Sequence, residues 1–370
     1  MNLRPFLSLV VGLGLGWGCS GYEKFDSEGD LRSTIARRLG PDGSAVGIPF
    51  ELDPVAMAEF QRLHRPSPSE NRRVDQVLDF VFSELRLHYA LLPTRDATGT
   101  FEAREGNCLS FVNLFVALAR SFRLNPFYVE VTDYQKWSYR DGQVLSQGHI
   151  VAGMFVAGNL KTYDFLPYRP KSYKTFRPID DLTATAHYYN NLGAEALIAD
   201  DLEQAATWLE IATRLAPNFI KAANNYGVLL TRQGQYDRAV EVYRRSLLAE
   251  PDDVAVLTNL AGLLSRRGAG EEAATLLARI SGVNNTNPFF FLYQGDAALA
   301  RGDHRQALQM MREALRRDAE IPEVQLGLVK TYFALGDLER ARYHLERALK
   351  LDATSEEARR FAVMLGKAPS

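Results

Sequence analysis

The sequence predicts an α+β domain followed by an all-α solenoid of repeated helix pairs. Three observations carry this prediction: residues 70–122 contain apolar stripes at helical spacing, residues 127–165 alternate as strands do, and the second half repeats every 34 residues. The 370 residues have room for two domains. The net charge of −2 and the ordinary composition give no support for a nucleic-acid partner.

The N-terminal segment has the pattern of an export signal. A positively charged opening is followed by an apolar run from Phe6 to Trp17 and then by Gly18-Cys19-Ser20. The run is too short for a permanent membrane-spanning helix, so residues 1–18 are predicted to be a signal peptide.

The cysteine after this run resembles the lipobox of bacterial lipoproteins, although Gly16 stands where Leu is usual. The resemblance implies lipidation of Cys19, anchoring in a membrane, and a location on the periplasmic side of the bacterial cell envelope. Ser20 favours the outer membrane. Ordinary secretory cleavage nearby is the alternative, and both interpretations give an exported protein.

Residues 19–68 are predicted to be a tether and a loosely packed lead-in, because Gly, Pro and Ser interrupt any periodic pattern. Within this stretch, Asp53-Pro54 predicts the cap and first turn of a short helix that ends at Leu63. A stronger helix is predicted to open at residues 67–70 and to continue to Leu85, since its apolar residues recur at helical spacing.

The next helix is predicted to begin at Asn107 or Cys108, because an apolar stripe runs from Leu109 to Phe122 and Asn107 can cap it. Cys108 would then lie in the first turn, where free N–H groups and the helix dipole stabilise a thiolate and favour a nucleophilic role. A buried, inert cysteine is the alternative. If Cys19 carries lipid, Cys108 is the only remaining thiol of the two cysteines.

Strands are predicted at residues 127–131, 149–156 and 160–165, with a hairpin turn at residues 157–159. His149 begins one strand of the hairpin and Asp164 ends the other. A two-residue turn at residues 158–159 would set Asp164 opposite Gly153 and leave His149 four places out of register. Spacing alone leaves open a Cys-His-Asp triad or a core histidine beside a strand-end aspartate.

Residues 100–120 carry Gly106-Asn107-Cys108 at the helix start and an Ala-Leu-x-Arg helix end, and a strand follows. This segment resembles the core of the transglutaminase-like (papain-like) superfamily, and the resemblance spans residues 69–170. It implies Cys108 as nucleophile, His149 as general base and acid, and Asp164 as the residue that orients His149. Leu109 stands where many members have Trp, and no second oxyanion donor is identified.

The resemblance implies an exported thiol-dependent amide or peptide hydrolase that requires no cofactor. Attack by the cysteine on an amide or ester carbonyl gives a thioacyl intermediate, which water or an amine resolves. Amine-dependent protein cross-linking is therefore one alternative. The other is a non-catalytic envelope scaffold that uses both domains for protein binding.

The repeats are visible as five alanines spaced 34 residues apart, namely Ala205, Ala239, Ala273, Ala307 and Ala341. Small residues at 193, 227, 261 and 295, and glycines at 234, 268, 302 and 336, keep the same interval. This pattern resembles the tetratricopeptide repeat. It predicts five units over residues 186–355, a connector at residues 171–185, and a helix end and tail at residues 356–370.

Aligning the repeats predicts a polar strip on the concave face that binds a protein or peptide ligand. Its members are His187, Asn190, Lys221, Asn224, Arg232 and Arg266. Ordinary solvated surface is the alternative for each of them. No metal site is predicted, because the histidines lack ligand spacing and no cysteine accompanies them.

Overall fold

The structure, a computed structural model, describes residues 6–8, 28–140, 143–156, 159–165, 175–281, 287–353 and 355–366. The chain forms two compact units. One contains the chain up to Lys136 together with residues 146–235, and the other contains residues 137–145 and the chain from Tyr236 onward. The predicted lipidation site at Cys19 lies outside the described residues, as does the predicted signal peptide apart from its residues 6–8.

The first unit begins with a helical layer. Its helices are α1 (Glu28–Leu39), α2 (Pro54–Leu63), α3 (Glu70–Asp79), α4 (Ala97–Ala103) and α5 (Cys108–Ser121). The predicted helix at Asp53-Pro54 is confirmed, because the Asp53 carboxylate accepts hydrogen bonds from the N–H groups of Val55 at 2.8 Å and Ala56 at 3.3 Å. A short 3-10 turn at Gly40–Ala45 follows α1, and a wider turn at Phe80–Glu84 extends α3.

Helix α1 corrects the prediction of a loosely packed lead-in over residues 19–68. Its residues Leu31, Ile35 and Leu39 are buried in the core of the first unit. These three residues recur every four positions, so they form one apolar face that the sheet and helices cover. The part of the lead-in that the structure describes is thus an integral helical layer.

The strands are β1 (Phe6–Ser8), β2 (His88–Tyr89), β3 (Glu105–Gly106), β4 (Phe127–Arg140), β5 (Gln143–Val156), β6 (Asn159–Asp164) and β7 (Phe176–Ile179). Five of them form one sheet in the order β1-β6-β5-β4-β7, and β2 pairs with β3 in parallel. Helix α5 packs on this sheet. The rings of Phe115 and Tyr163 lie 5.2 Å apart, and the Tyr128 hydroxyl donates to Asn113 Oδ1 at 2.9 Å.

The repeat region is helical throughout its described length. The first unit contains α6 (Asp181–Ile198), α7 (Leu202–Leu215) and α8 (Ile220–Arg232). The second contains α9 (Tyr236–Ala249), α10 (Val254–Arg266), α11 (Gly270–Ser281), α12 (Pro288–Ala300), α13 (His304–Arg317), α14 (Pro322–Ala334), α15 (Leu338–Leu351) and α16 (Glu356–Met364). The all-α solenoid prediction is therefore confirmed, and residues 356–370 contain a further helix rather than only a helix end.

The repeated small residues have the packing role that their spacing predicts. All five alanines of the 34-residue column are buried. A Cβ at Gly193 would lie 2.5 Å from Leu209 Cγ, so the two helices of this pair can approach only because the side chain is absent. The four turn glycines, Gly234, Gly268, Gly302 and Gly336, have φ between 73° and 84°, where a side chain is strained.

The first helices of the repeat region share one core with the sheet. Leu31 of α1, Phe115 of α5, Ile150 of β5 and Leu215 of α7 belong to the same buried cluster. In addition, β7 pairs with β4, so residues 176–179 of the predicted connector at residues 171–185 form a strand of the sheet, and residues 181–185 are the first turn of α6. The predicted boundary therefore does not separate two cores, because the apolar faces of α6 and α7 are buried against the domain before them.

Candidate functional site

Cys108 is the first residue of α5, as predicted. Asn107 caps this helix, and its Oδ1 accepts the Ser110 N–H at 3.1 Å. The Phe111 N–H bonds to the Asn107 carbonyl. The N–H groups of Cys108 and Leu109, like the first N–H groups of any helix, have no partner within the helix itself. The free, partly exposed thiol thus lies where a negative charge is stabilised.

Gly106 has a steric reason to precede the cysteine by two positions. A Cβ added to it would lie 2.5 Å from Ser110 Cβ and 3.5 Å from the Phe111 ring. The chain before Cys108 therefore folds tightly against the first turn of α5, and only glycine leaves room for that approach. The Gly-x-Cys spacing is a packing requirement of the helix start.

A buried hydrogen-bond network fixes the cap. Asn107 Nδ2 donates to Thr94 Oγ1 at 2.7 Å, and the Arg95 N–H donates to Ser110 Oγ at 2.8 Å. The Thr94 N–H in turn donates to Glu195 of α6 at 2.8 Å. The loop that supports the cysteine is therefore tied both to α5 and to the first helix of the repeat region.

His149 and Asp164 meet on neighbouring strands, in a register that differs from the prediction. Ala152 stands opposite Tyr163 and Val156 opposite Asn159. Continuing this register places Asp164 opposite Val151 rather than Gly153. His149 is then two positions away on the same face, a diagonal distance that long side chains can bridge. Asp164 Oδ1 lies 3.0 Å from His149 Nε2.

The environment of His149 favours its charged form. Burial lowers the pKa of the imidazole, but hydrogen bonds to Asp164 and Cys108, and the charges of both groups, outweigh burial and raise the pKa from 6.5 to about 9. The ring is 1% exposed. Because Asp164 occupies Nε2, Nδ1 is the nitrogen left for Cys108. The three predicted residues therefore come together, with the imidazole between a carboxylate and a sulfur.

The six residues of the predicted concave strip have other surroundings. His187, Asn190 and Asn224 are buried, and Asn190 accepts a hydrogen bond from Asn225 at 2.9 Å. Later members of the Asn190 column, Thr258, Leu292 and Leu326, are buried as well. This column is the packing face of the first helix in each repeat, so it cannot form an open polar strip.

The cationic members of the strip also differ from the prediction. Lys221 Nζ lies 2.5 Å from Glu130 Oε1, and Arg232 Nη1 donates to the Leu197 carbonyl at 2.6 Å. These two side chains hold the first unit together rather than facing a partner. Arg266, the last residue of α10, is exposed, and it alone of the six retains the predicted accessibility.

Glu130 is a buried charge that the sequence prediction missed. It is 2% exposed and lies between Lys221 and Arg177, whose Nη2 is 2.6 Å from Glu130 Oε2. Burial raises the pKa of the carboxyl, but the charges of His187, Lys221 and Arg177 and the hydrogen bond from Lys221 lower it to about 2. An acidic residue inside the apolar run Phe-Tyr-Val-Glu-Val of β4 was the available signal, since a charge at such a position requires a partner.

Within the described residues, no three side chains of His, Cys, Asp or Glu come together as metal ligands. No helix in the described part of the chain combines the length and apolar character needed to cross a bilayer.

The repeated helix pairs, buried alanines and glycine turns define tetratricopeptide repeats. The tetratricopeptide repeat family model matches residues 230–288 and 298–363, so the chain contains these repeats. Such repeats generally bind protein partners.

The chain is similar to cellulose synthase operon protein C of Pseudomonas fluorescens (strain SBW25), with 28% identity over 163 residues. That match covers 42% of this chain and 13% of the relative. Among solved structures it is similar to a thermophilic tetratricopeptide repeat protein of Thermus thermophilus, with 21% identity and a TM-score of 0.43 over 49% of this chain and 98% of that one. It is also similar to Pseudomonas aeruginosa pilF, with 22% identity and a TM-score of 0.41 over 49% and 82% of the two chains.

Proposed function

We propose that the first unit is a thiol-dependent amide or peptide hydrolase and that the repeats recruit its protein substrate or partner. The observation that carries the proposal is the juxtaposition of Cys108, His149 and Asp164, with 3.0 Å between His149 Nε2 and Asp164 Oδ1. The resemblance of residues 69–170 to the transglutaminase-like superfamily supports the same assignment. This arrangement supports the roles proposed for the three residues.

In this mechanism the Cys108 thiolate attacks the carbonyl carbon of the substrate, and the carbonyl π electrons move to its oxygen. The N–H groups at the start of α5 stabilise that oxyanion. When the C–N bond breaks, the His149 imidazolium gives its proton to the leaving amine, and a thioester remains on Cys108. The neutral imidazole then takes a proton from water as that water attacks the thioester carbonyl; the C–S bond breaks, the acid leaves, and the Cys108 thiolate and His149 imidazolium are restored.

Asp164 keeps His149 oriented through these steps. The carboxylate accepts a hydrogen bond from Nε2–H, which directs Nδ1 toward the sulfur and stabilises the imidazolium that the first step uses. Loss of the carboxylate therefore lowers the reactivity of Cys108 without removing the nucleophile.

Acylation of the full chain by an activated ester tests the chemistry. We expect one acyl group per chain on Cys108, detected by intact-mass analysis, and its loss in Cys108→Ala. In His149→Ala the acylation rate falls about tenfold or more, because no imidazolium is left to stabilise the thiolate or to protonate the leaving group. The exposed His88 is a matched control, and His88→Ala keeps the normal rate. Equal acylation of all three variants contradicts the proposal.

The fate of the acyl group separates hydrolysis from cross-linking. A labelled primary amine added to the acylated protein remains unincorporated if water resolves the thioester. Transfer of the acyl group to the amine would assign the cross-linking alternative instead.

The recruitment role is proposed for the part of α10 that carries Arg266, because Arg266 is exposed, whereas Lys221 and Arg232 of α8 are held by partners within the first unit. A photo-crosslinking residue at Arg266 of α10 would capture the partner. The control places the photo-crosslinking residue at Arg245 instead. Arg245 is 71% exposed and lies on α9, the second helix of a repeat pair. Equal capture at both positions contradicts the assignment.

We also propose export and lipidation at Cys19, on the sequence pattern of residues 1–20. Labelled fatty acid should enter the protein in a bacterial host and be lost in Cys19→Ala. The control Cys108→Ala keeps the label. Label in Cys19→Ala refutes the assignment.

A further inference from the structure

A cleft of about 580 Å³ opens in the first unit where α2, α3 and α5 meet. Its walls include three arginines, Arg65, Arg73 and Arg123, together with His64. The volume lies in the range of small-molecule sites, which is about 300 to 1,000 Å³.

The charge of this cleft has one sign. No acidic side chain belongs to its lining among the described residues, although Glu84 lies 3.3 Å from His64 Nε2. Arg73 Nη1 donates to the carbonyls of Ser67 and Pro68 at 3.2 Å each, which fixes this guanidinium in the wall. Its buried Nε has no hydrogen-bond partner in the described structure.

The other two guanidinium groups are accessible. Arg65 and Arg123 are exposed, and their side chains take part in no ion pair within the described residues. Arg123 also has φ of 56°, a conformation in which glycine is preferred. The turn after α5 thus presents a long cation at a position where a small residue would be more stable.

The cleft lies at the opposite end of α5 from Cys108. Thirteen residues separate Cys108 from Ser121, which lines the cleft, and at 1.5 Å per residue this is about 20 Å. A small ligand in the cleft therefore does not reach the sulfur.

We propose that this cleft binds a small molecule that carries two or more phosphate or carboxylate groups. Guanidinium groups pair with both kinds of anion through charge-assisted hydrogen bonds. Three guanidinium groups around one cleft carry more positive charge than a single phosphate requires, so the cleft suits a ligand with several anionic groups.

Calorimetric titration of the full chain with pyrophosphate, citrate and inorganic phosphate tests the proposal. We expect pyrophosphate or citrate to bind more tightly than inorganic phosphate. Tighter binding of pyrophosphate would identify the ligand's charged groups as phosphates, and tighter binding of citrate would identify them as carboxylates. In Arg123→Gln and Arg65→Gln, affinity falls about tenfold or more, the size expected for one charged hydrogen bond.

Arg72→Gln is the matched control, because this exposed arginine of α3 carries the same charge outside the cleft. Its affinity should change less than threefold. The proposal is overturned if neither pyrophosphate nor citrate binds at millimolar concentration, or if Arg72→Gln weakens binding as much as Arg123→Gln.

Arg123→Gly separates binding from folding. Glycine relieves the left-handed backbone, so the Tm should rise while affinity falls. If the Tm and the affinity both fell, the lost affinity would be explained by damaged folding, and a direct contact between Arg123 and the anion would be refuted.

Discussion

Replacing Glu130 with alanine should destabilise the first unit by about 3 to 5 kcal/mol, because it leaves Lys221 buried without its partner. Lys221 Nζ is 2.5 Å from Glu130 Oε1, and the two side chains are 13% and 2% exposed. The pKa gives a second route to this magnitude. The pKa of Glu130 falls from its ordinary value of 4.5 to about 2 in the folded chain. At about 1.4 kcal/mol per pH unit, the ionised carboxylate therefore stabilises the folded state by about 3 kcal/mol.

The direction in which this stability changes with pH follows from the same difference between the folded and unfolded pKa of Glu130. The folded pKa lies below the unfolded one, so this stability is present above pH 4.5 and is lost as the pH falls toward 2. The difference in unfolding free energy between the wild type and Glu130→Ala should therefore narrow over that range.

Urea unfolding of the full chain measures the effect. Trp208 of α7 packs against the core of the first unit, so its fluorescence reports this unit when Trp17 and Trp137 are replaced by Phe. Glu210→Ala is the matched control, since its ion pair with Arg214 is exposed and worth less than about 1 kcal/mol. The double variant Glu130→Met with Lys221→Met should recover most of the loss. A cost for Glu130→Ala as small as that for Glu210→Ala would refute the buried ion pair.

Three further predictions concern the site and its support. Gly106→Ala should lower the free energy of unfolding by about 1 to 3 kcal/mol in urea and slow alkylation of Cys108, because the added Cβ would lie 2.5 Å from Ser110. Gly270→Ala is the control, since a Cβ there would meet open space. Equal effects of the two variants would contradict the steric argument. His187→Leu should stabilise the protein more at pH 5 than at pH 7. Burial lowers the pKa of His187 to about 3 in the folded chain, so at pH 5 the unfolded chain binds a proton that the folded chain does not, and leucine removes that cost. A gain in unfolding free energy that does not change with pH would contradict this prediction. Asp164→Asn should lower the pKa of His149 by about one pH unit or more in an NMR titration, and an unchanged pKa would refute the contact.

Local signals in the sequence were sufficient for the start of α5 and for the repeats. An asparagine cap before an apolar stripe defines where a helix begins, so Cys108 could be placed in the first turn. The small-residue columns could be interpreted because each has one steric function in every unit, as at Gly193. These features depend on neighbours within one repeat or one helix turn.

Features that depend on distant parts of the chain could not be predicted in the same way. The register of β5 and β6 differs by two positions from the predicted turn, and this difference decides whether His149 can reach Asp164. The prediction of an open polar strip on the repeats is wrong for a related reason. Repeat alignment identifies equivalent positions, but burial of His187 depends on Phe219, whose ring lies 4.0 Å away, and on the rest of the first unit.

Helix α1 was missed although its signal is present. Leu31, Ile35 and Leu39 recur at four-residue spacing, but charged residues between them and the nearby glycines hide the stripe. Burial of these residues in the core of the first unit decides their role.

The pH dependence of Cys108 alkylation shows whether His149 holds a proton beside the sulfur, on which the proposed chemistry depends. Because the pKa of His149 is about 9, its imidazolium lies beside the sulfur at both pH 6 and pH 8, so iodoacetamide alkylation of the wild type is compared with that of His149→Ala at these two values. His149→Ala should lose at least tenfold in rate at the lower pH and less at the higher one, whereas His88→Ala should match the wild type. Identical rate profiles for the wild type and His149→Ala would mean that the imidazole does not activate the thiol.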